Sequence, residues 1–381
     1  MNNELTSLPQ NQPKISTKRE GSFQRILGFI GADNLSLIFA LFILVFLVTV
    51  ASKWFGLDGG DKFFSWQNLM NSLAQAVVIV GLLSVGETIV IIAGALDISV
   101  GSIASIGSVV AASVLAGVGT VGSLHILPAD NVVVAVLAGI FAGMIAGAIN
   151  GGIVTGLRVN PTIATLGTLA AFAGFAFLLA PDGKPVGVLT QPDFTWLAQG
   201  RLFSDFTFMD LGGSKWTGIP VLTVILVAVA ILIHVIMRYT DFGRAIYAIG
   251  GNATAARLAG INISRVRVIM YMISGGIAGL AGVLLTARTT AGNPVNGTGL
   301  ELQAITAVFL GGAATSGGKG TIFGTFLAVI MVGVLNNGMN LLGFNTFTQR
   351  VALGFLLVAA VAISQYRQSS ADRARKTAER R

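Results

Sequence analysis

Eight polar side chains interrupt the long apolar segments of this chain, and three of them are carboxylic acids able to hold a proton or a cation. Polar groups within such segments are costly to bury and are often functional. If the segments cross a membrane, these residues are the candidates for lining a path through it. They are Glu87, Asp97, Asn150, Thr165, Glu301, Gln303, Asn336 and Asn337.

Several of these residues also have a structural explanation, and the sequence leaves both explanations open. Asp97 follows a break that contains glycine and can cap the helix after it. Glu301 lies three residues after Thr298, so this pair fits a capping box. Asn150 by itself favours a hydrogen bond between helices over a ligand contact. Glu87 is harder to explain structurally, because it lies inside an apolar run and must either face a polar cavity or be protonated.

The composition points to a membrane protein. Of the 381 residues, 54% are hydrophobic and 10% are charged, whereas soluble domains carry roughly 25% charged residues. A soluble monomer of this length would expose more apolar surface than water tolerates. There is no cysteine, and there are only two histidines, which argues against disulfides and against zinc or haem sites. An ordinary soluble enzyme, a disordered protein and a nucleic-acid-binding protein are excluded.

Ten apolar segments approach the ~20 residues that a helix needs to cross the hydrocarbon of a bilayer. We predict an all-α polytopic membrane protein, because helices satisfy their own backbone hydrogen bonds in lipid. The predicted domains are a cytoplasmic segment 1–34, a transmembrane domain 35–365 and a basic cytoplasmic tail 366–381. The predicted spans are 35–52, 71–94, 98–118, 132–156, 161–180, 217–238, 265–287, 301–317, 321–342 and 347–365.

The distribution of positive charge predicts the orientation. A cytoplasmic N-terminus and ten spans place most of the 24 Lys and Arg residues on the cytoplasmic side, as the positive-inside rule requires. Both termini are then cytoplasmic, and the net charge of +8 belongs to loops that face the cytoplasm. The longest outer segment is 181–216, which fits either a lid or a docking site for a partner.

Two glycine patterns predict how the spans pack. Gly139, Gly143, Gly147 and Gly151 are spaced by four residues, so they form a small-residue ridge that suits close helix packing within or between subunits. Residues 142–157 also resemble residues 328–343 in the ninth span, which indicates an inverted repeat of the kind found in transporters. The identical pairs are Ala142/Ala328, Gly147/Gly333, Asn150/Asn336 and Gly152/Gly338.

The longest cytoplasmic loop, residues 240–264, contains a short helix with its own end signals. Asn252 is placed to cap it, Gly260 to end it, and Arg257 to lie near the negative end of its dipole. A helix of two turns is marginal in water. Its sequence therefore favours docking into a groove of another protein, and the alternative is a linker that lies on the membrane surface.

Two glycine-rich motifs are not nucleotide sites. Residues 117–122 fit the pattern G-x-G-x-x-G, but they lie between membrane spans and not in a strand–turn–helix unit. Gly318-Lys319-Gly320 lacks the Ser or Thr that follows the lysine of a P-loop. We therefore expect no cofactor to be bound by this chain, and no ATP.

Four segments resemble the sugar-type permeases of bacterial ABC importers, the ribose permease group. The most specific is the cytoplasmic loop 243–266, GRAIYAIGGNATAARLAGINISRV. The others are 94–101, GALDISVG, 160–167, NPTIATLG, and the glycine-rich stretch 299–343. The likeness extends from about residue 70 to residue 365. Glu87 departs from the family, which more often has an uncharged residue there, so the substrate is left open.

This resemblance implies a permease subunit in the bacterial inner membrane that imports a monosaccharide, ribose-like or xylose-like, or a related polyol. It implies three partners: an ATPase subunit that carries ATP and Mg, an extracytoplasmic sugar-binding protein, and a second permease copy, identical or different. The chain itself would catalyse no chemistry. The loop would couple to the ATPase through Gly243, Arg244, Gly250, Gly251, Asn252, Ala256, Arg257 and Gly260.

Two other transport functions stay open. One is a secondary transporter driven by protons or sodium, with Glu87 and Asp97 as the coupling acids. The other is an ABC permease for branched-chain amino acids or nucleosides, which shares the architecture. A membrane-embedded enzyme has no support, because no cluster of His, Asp or Glu and no nucleophile arrangement lies at membrane depth.

Overall fold

The computed structural model describes residues 32–55, 63–118, 131–188, 191–206, 210–211 and 213–379. Most of the predicted N-terminal segment and the last two residues of the tail lie outside this part. The described chain is almost entirely helical. Its helices are α1 Ala32–Phe55, α2 Gln67–Ile92, α3 Val100–Ala116, α4 Val132–Gly156, α5 Pro161–Leu179, α6 Pro192–Gln199, α7 Val221–Tyr239, α8 Asp241–Gly251, α9 Ala253–Leu258, α10 Ile263–Thr289, α11 Leu300–Leu310, α12 Ile322–Leu341 and α13 Thr346–Glu379.

Short strands join the loops at one end of the bundle. The first turn of α2, Gln67–Leu73, is π-helical, and Pro181–Gly183 forms a 3₁₀ turn. The strands are β1 Val186–Gly187, β2 Arg201–Leu202, β3 Ile219–Pro220 and β4 Ala291–Gly292. They pair antiparallel, β1 with β4 and β2 with β3. These pairs tie the predicted outer segment 181–216 to the ends of α7 and α10.

The prediction of an all-α polytopic protein is confirmed. Within the described residues, seven helices are long and apolar enough to cross a membrane: α1, α2, α4, α5, α7, α10 and α12. The other three predicted spans form shorter apolar helices, which are α3, α11 and the first half of α13. Each of the ten predicted spans therefore coincides with an apolar helix.

One predicted span is wrong in its extent. Residues 301–317 were expected to cross as one helix, but α11 has 11 residues and is ~16 Å long at 1.5 Å per residue. That is about half of the ~30 Å hydrocarbon core. The helix ends because Gly312 adopts a positive φ angle, which glycine tolerates and other residues avoid. The positive φ angles of Gly317 and Gly318 keep the following residues from forming another helical turn.

The packing has the pattern that a repeat requires. Helix α10 packs against α3 and α4 of the first half, and α2 packs against α11 and α12 of the second half. In each half, the short helix packs against the two helices that follow it. Helix α3 packs against α4 and α5, and α11 packs against α12 and α13. The matched glycines follow this pattern, because Gly147 faces Tyr271 of α10 and Gly333 faces Val77 of α2.

The glycine ridge of α4 packs within the chain. Gly139, Gly143, Gly147 and Gly151 all face α10, at positions from Val283 to Val268. Of the two possibilities left open by the sequence, the described structure therefore uses the ridge inside one subunit. Close approach of the two backbones replaces the hydrophobic driving force that lipid cannot supply.

Candidate functional site: a loop, a glycine junction and a buried polar cluster

The loop between α7 and α10, residues 240–264, contains two helices, of which the sequence predicted one. As expected, the Asn252 side chain caps α9 and accepts a hydrogen bond from the Ala255 N–H at 3.0 Å. Gly260 ends the loop helix with φ +84°. The helix before it, α8, was missed, although Thr240 gives an N-cap signal and accepts from the Gly243 N–H at 3.3 Å.

The tip of α9 presents an exposed basic and apolar surface. Arg257 is exposed, and the adjacent Leu258 leaves 86% of its surface uncovered. Ala256 points the other way and is buried with Ile249 and Ile263. An exposed leucine beside an arginine suits docking against another protein, because these residues combine apolar area with charge.

The other end of the loop is anchored in the bundle. Gly243 packs against the backbone of Met237 at the end of α7. Arg244 forms an ion pair with Asp241 on the exposed side of α8. Tyr247 donates a hydrogen bond to the Gly320 carbonyl oxygen at 2.8 Å. Burial raises the pKa of Tyr247, so the phenol keeps the proton that it donates.

Three loops meet at a glycine junction, formed by Gly94 after α2, Gly250 at the end of α8, and Gly317 and Gly318 before α12. A Cβ on Gly317 would lie 2.7 Å from the Gly94 Cα and 3.1 Å from the Gly250 Cα. The Gly318 N–H donates to the Ile92 carbonyl oxygen at 2.8 Å. The loop, the α2–α3 turn and the α11–α12 loop therefore share one end of the bundle with no side chains between their backbones.

A buried polar cluster is centred on the second half of the α2–α3 turn, a few residues after Gly94. Asp97 is fully buried, and its Oδ1 accepts from the Ser99 N–H at 3.0 Å and from the Ser99 hydroxyl at 2.6 Å. The Asn150 amide of α4 donates to the Ser99 Oγ at 2.8 Å and lies 3.3 Å from the Asp97 Oδ1. Thr165 of α5 donates to the Leu96 carbonyl oxygen at 3.1 Å. Three segments, the α2–α3 turn, α4 and α5, are thus joined by hydrogen bonds around one carboxylate.

Glu87 joins this cluster from α2. Its Oε1 accepts from the Asp97 N–H at 2.9 Å, and the residue is fully buried. Its second oxygen has no hydrogen-bond partner among the described residues, and the same holds for the Asn150 Oδ1, the Tyr271 hydroxyl and the Ser274 Oγ. The cluster therefore has both hydrogen bonds that fix the turn and buried polar atoms that have no partner among the described residues, an uncommon arrangement in folded proteins.

The cap assignments from the sequence are wrong in detail. Helix α3 begins after Ser99 and not after Asp97, so the carboxylate braces the turn and does not cap the helix. Glu301 does not pair with Thr298, because the cap position of α11 is Gly299, whose N–H donates to both Glu301 oxygens at 3.0 and 3.1 Å. Asn150 forms a structural hydrogen bond, as expected, but this bond joins α4 to Ser99 of the α2–α3 turn and not to another helix.

The remaining candidates lie on two other helices, and Glu301 packs against Gly101 in the first turn of α3. Glu301 and Gln303 are on α11, and Asn336 and Asn337 are near the end of α12. Asn337 forms a reciprocal amide pair with Asn68 of α2, at 2.9 and 2.8 Å. The Asn336 Oδ1 is buried without a partner among the described residues.

The sequence missed a largely buried irregular segment, residues 290–299, in which one short strand is followed by successive turns. It was predicted as an outer loop, but it runs along α3, where the Asn296 amide donates to Ser108 at 3.0 Å and the Gly297 N–H donates to Ser105 at 2.9 Å. Gly292, Pro294 and Gly297 are buried. Irregular backbone at membrane depth is tolerated only inside protein or beside a cavity, and the run Gly-Asn-Pro before a short apolar helix is the signal that indicates it.

We expect the Ser99 hydroxyl to stabilise the cluster, because it both donates to Asp97 and accepts from Asn150. Ser99→Ala should lower the free energy of unfolding by about 1–3 kcal/mol, measured by thermal unfolding in detergent. Ser113 on the same α3 is the matched control. It is fully buried, but its hydroxyl has no partner among the described residues, so Ser113→Ala should be neutral or stabilising. Equal effects at both positions would contradict this role for Ser99.

Comparison with known proteins identifies the family of the chain. The profile of a family described as "Branched-chain amino acid transport system / permease component" matches residues 68–361. The chain is therefore a member of this permease family. The ribose import permease of Bacillus subtilis is 37% identical over 347 residues, which cover 91% of this permease and 94% of the relative. No solved structure matches the chain.

Two other relatives also match most of the chain. A probable ABC transporter permease of Escherichia coli is 36% identical over 93% of this permease and 95% of the relative. The L-arabinose transport system permease of Escherichia coli is 34% identical over 79% of this permease and 84% of the relative. The family match begins at residue 68, so α1 lies outside it and the loop, the junction and the cluster lie inside it.

Proposed function

We propose that the permease forms the translocation pathway of an ATP-driven importer for a monosaccharide or a related polyol. Relatives named for ribose and L-arabinose match 91% and 79% of the chain, which supports a sugar as the substrate. The observation that carries the mechanism is the contact of the α8–α9 loop with the α2–α3 turn through the glycine junction. A force on the loop therefore reaches the bundle without a flexible side chain between them.

The proposed partners follow from this role. An ATPase subunit docks on Arg257 and Leu258 and supplies ATP and Mg, a sugar-binding protein delivers the solute at the 181–216 face, and a second permease copy completes the pathway. The permease itself carries out no covalent chemistry. Its loop and both termini face the cytoplasm of a bacterium, and the protein lies in the inner membrane.

The proposed motion uses the two halves of the bundle. Closure of the ATPase moves the loop, the junction passes this movement to the α2–α3 turn, and the halves rock between outward and inward openings. The Asp97 cluster keeps the turn rigid during this movement. Glu87, Asn150 and Asn336 each retain a buried polar oxygen without a partner among the described residues, so these three side chains are available to a passing hydroxyl-rich solute.

Charge reversal at the loop tip should uncouple the ATPase. Arg257→Glu places a negative charge at the negative end of α9 and reverses the charge of the docking surface, so transport-coupled ATP hydrolysis should fall at least tenfold. The measurement is sugar-stimulated ATP hydrolysis by the complete importer in liposomes, with membrane insertion checked in parallel. Lys53→Glu, an exposed change in the last turn of α1, is the control and should have no effect.

This experiment also separates the alternative transport functions. Unchanged hydrolysis by the Arg257→Glu importer would contradict the loop assignment. Gradient-driven uptake of sugar by the purified permease alone would instead support the proton- or sodium-coupled transporter, with Glu87 and Asp97 as coupling acids. Binding of a branched-chain amino acid or a nucleoside by the cognate receptor, in place of a sugar, would assign the related ABC permeases.

A further inference from the structure

A groove of about 620 Å³ lies between α7 and α12, bordered at one end by α8 and the start of α1. Its walls are apolar and include Val227, Ala230 and Phe326. Ile231 and Phe323 also line it and are 59% and 40% exposed, so the groove opens on the exposed side of the bundle and not toward its centre. None of the candidate path residues lines it, which separates it from the translocation path.

One end of the groove is basic. His234, Arg238 and Arg244 line this end, and no Asp or Glu is among the described residues that line the groove. Arg238 makes no ion pair within the described part of the chain. Arg244 pairs with Asp241 at an exposed position, where such a pair contributes little and exchanges readily. The end of the groove therefore attracts an anion.

The groove has the length of half a bilayer. Along α7, Arg238 lies three turns beyond Val227, a distance of ~16 Å at 1.5 Å per residue. Half of the ~30 Å hydrocarbon core is ~15 Å. A ligand that fills the groove has an apolar tail of that length and a negatively charged head beside the arginines.

We propose that the groove binds one anionic glycerophospholipid, with an acyl chain between α7 and α12 and its phosphate beside Arg238 and Arg244. The lipid belongs to the cytoplasmic leaflet, which rests on the proposed orientation. Because Arg244 lies on α8, the bound headgroup also holds the first helix of the coupling loop against α7. A zwitterionic lipid gains the same apolar contacts and none of the net charge attraction.

The test measures lipid binding by the purified full-length permease. Native mass spectrometry is carried out after exchange into vesicle-free detergent with added phosphatidylglycerol or phosphatidylcholine. We expect one tightly bound phosphatidylglycerol per chain, and about thirty-fold weaker binding in Arg238→Gln/Arg244→Gln, since each arginine contributes about fivefold near an anionic surface. Val227→Trp, which fills the groove, should abolish binding without removing a charge.

The control is Arg265→Gln. Arg265 is exposed in the first turn of α10 and does not line the groove, so this variant should bind phosphatidylglycerol as the unmodified chain does. Equal binding of both lipids, or no loss in the double variant, overturns the proposal. Binding that appears only after deletion of residues 1–31 also overturns it, because the occupant is then the chain's own N-terminal segment.

Discussion

Gly147→Ala should prevent α4 from packing against α10 and should leave little folded permease in the membrane. A Cβ on Gly147 would overlap with the Tyr271 carbonyl oxygen and lie 3.1 Å from the Met272 Cα. Both atoms belong to the backbone of a continuous helix, so no side-chain rotation relieves the overlap. Overpacking costs typically 1–3 kcal/mol and more where backbones must separate. We expect the cost here to lie above that range.

The same helix provides the control for this prediction. Gly152 is five residues along α4, and no atom lies within 4 Å of a Cβ built on it. Gly152→Ala should therefore leave the permease unchanged, or stabilise it by up to about 1 kcal/mol through helix propensity. The measurements are the yield of monodisperse protein in mild detergent and its thermal unfolding midpoint. Normal yield and stability of Gly147→Ala would show that the two helices are not in close contact.

Most of the helices could be predicted from the sequence, because lipid demands length and apolarity from every spanning helix. The ridge of α4 could also be predicted, since glycines four residues apart share a helix face. The burial of residues 290–299 and the short length of α11 could not be predicted. Hydropathy does not separate a segment that faces lipid from one that enters the bundle and packs on α3.

The sequence identified residues of the candidate site but did not predict how they contact each other. Asp97, Asn150 and Thr165 stood out because polar side chains are rare in apolar segments. That Asn150 meets Ser99 from 51 positions away depends on the packing of α4 against the α2–α3 turn. No local pattern in the sequence encodes such a contact, and the local explanations as helix caps failed for both Asp97 and Glu301.

The glycines of a motif that is not a nucleotide site have a structural role in the glycine junction. Gly318-Lys319-Gly320 does not have the residues of a P-loop, and its fold context excludes one. Its glycines are required for another reason, because Gly318 adopts φ +74° and donates to Ile92, while Gly320 accepts from Tyr247. The spacing of glycines indicated a tight loop, and only the fold indicates what the loop touches.

Gly250→Ala should uncouple the importer while leaving the bundle folded. A Cβ on Gly250 would overlap with the Ile92 carbonyl oxygen and reach the Gly318 N–H, so the loop must move away from the α2–α3 turn. The contacts between the spanning helices are not touched. On the proposed function, sugar-stimulated ATP hydrolysis should fall at least tenfold, with normal insertion and a thermal unfolding midpoint close to that of the unmodified permease.

Two alanine variants distinguish the junction from the exposed docking surface. Gly156→Ala, at the end of α4, has no atom within 4 Å of the added carbon and is the control for the chemical change, with coupling expected to be normal. Gly251 is adjacent to Gly250, but its added carbon also meets no atom within 4 Å. If Gly251→Ala lost as much coupling as Gly250→Ala, the loss would come from the exposed docking surface of the loop and not from the glycine junction. Full coupling in Gly250→Ala would instead mean that movement reaches the bundle by another route, such as the covalent connections of the loop to α7 and α10.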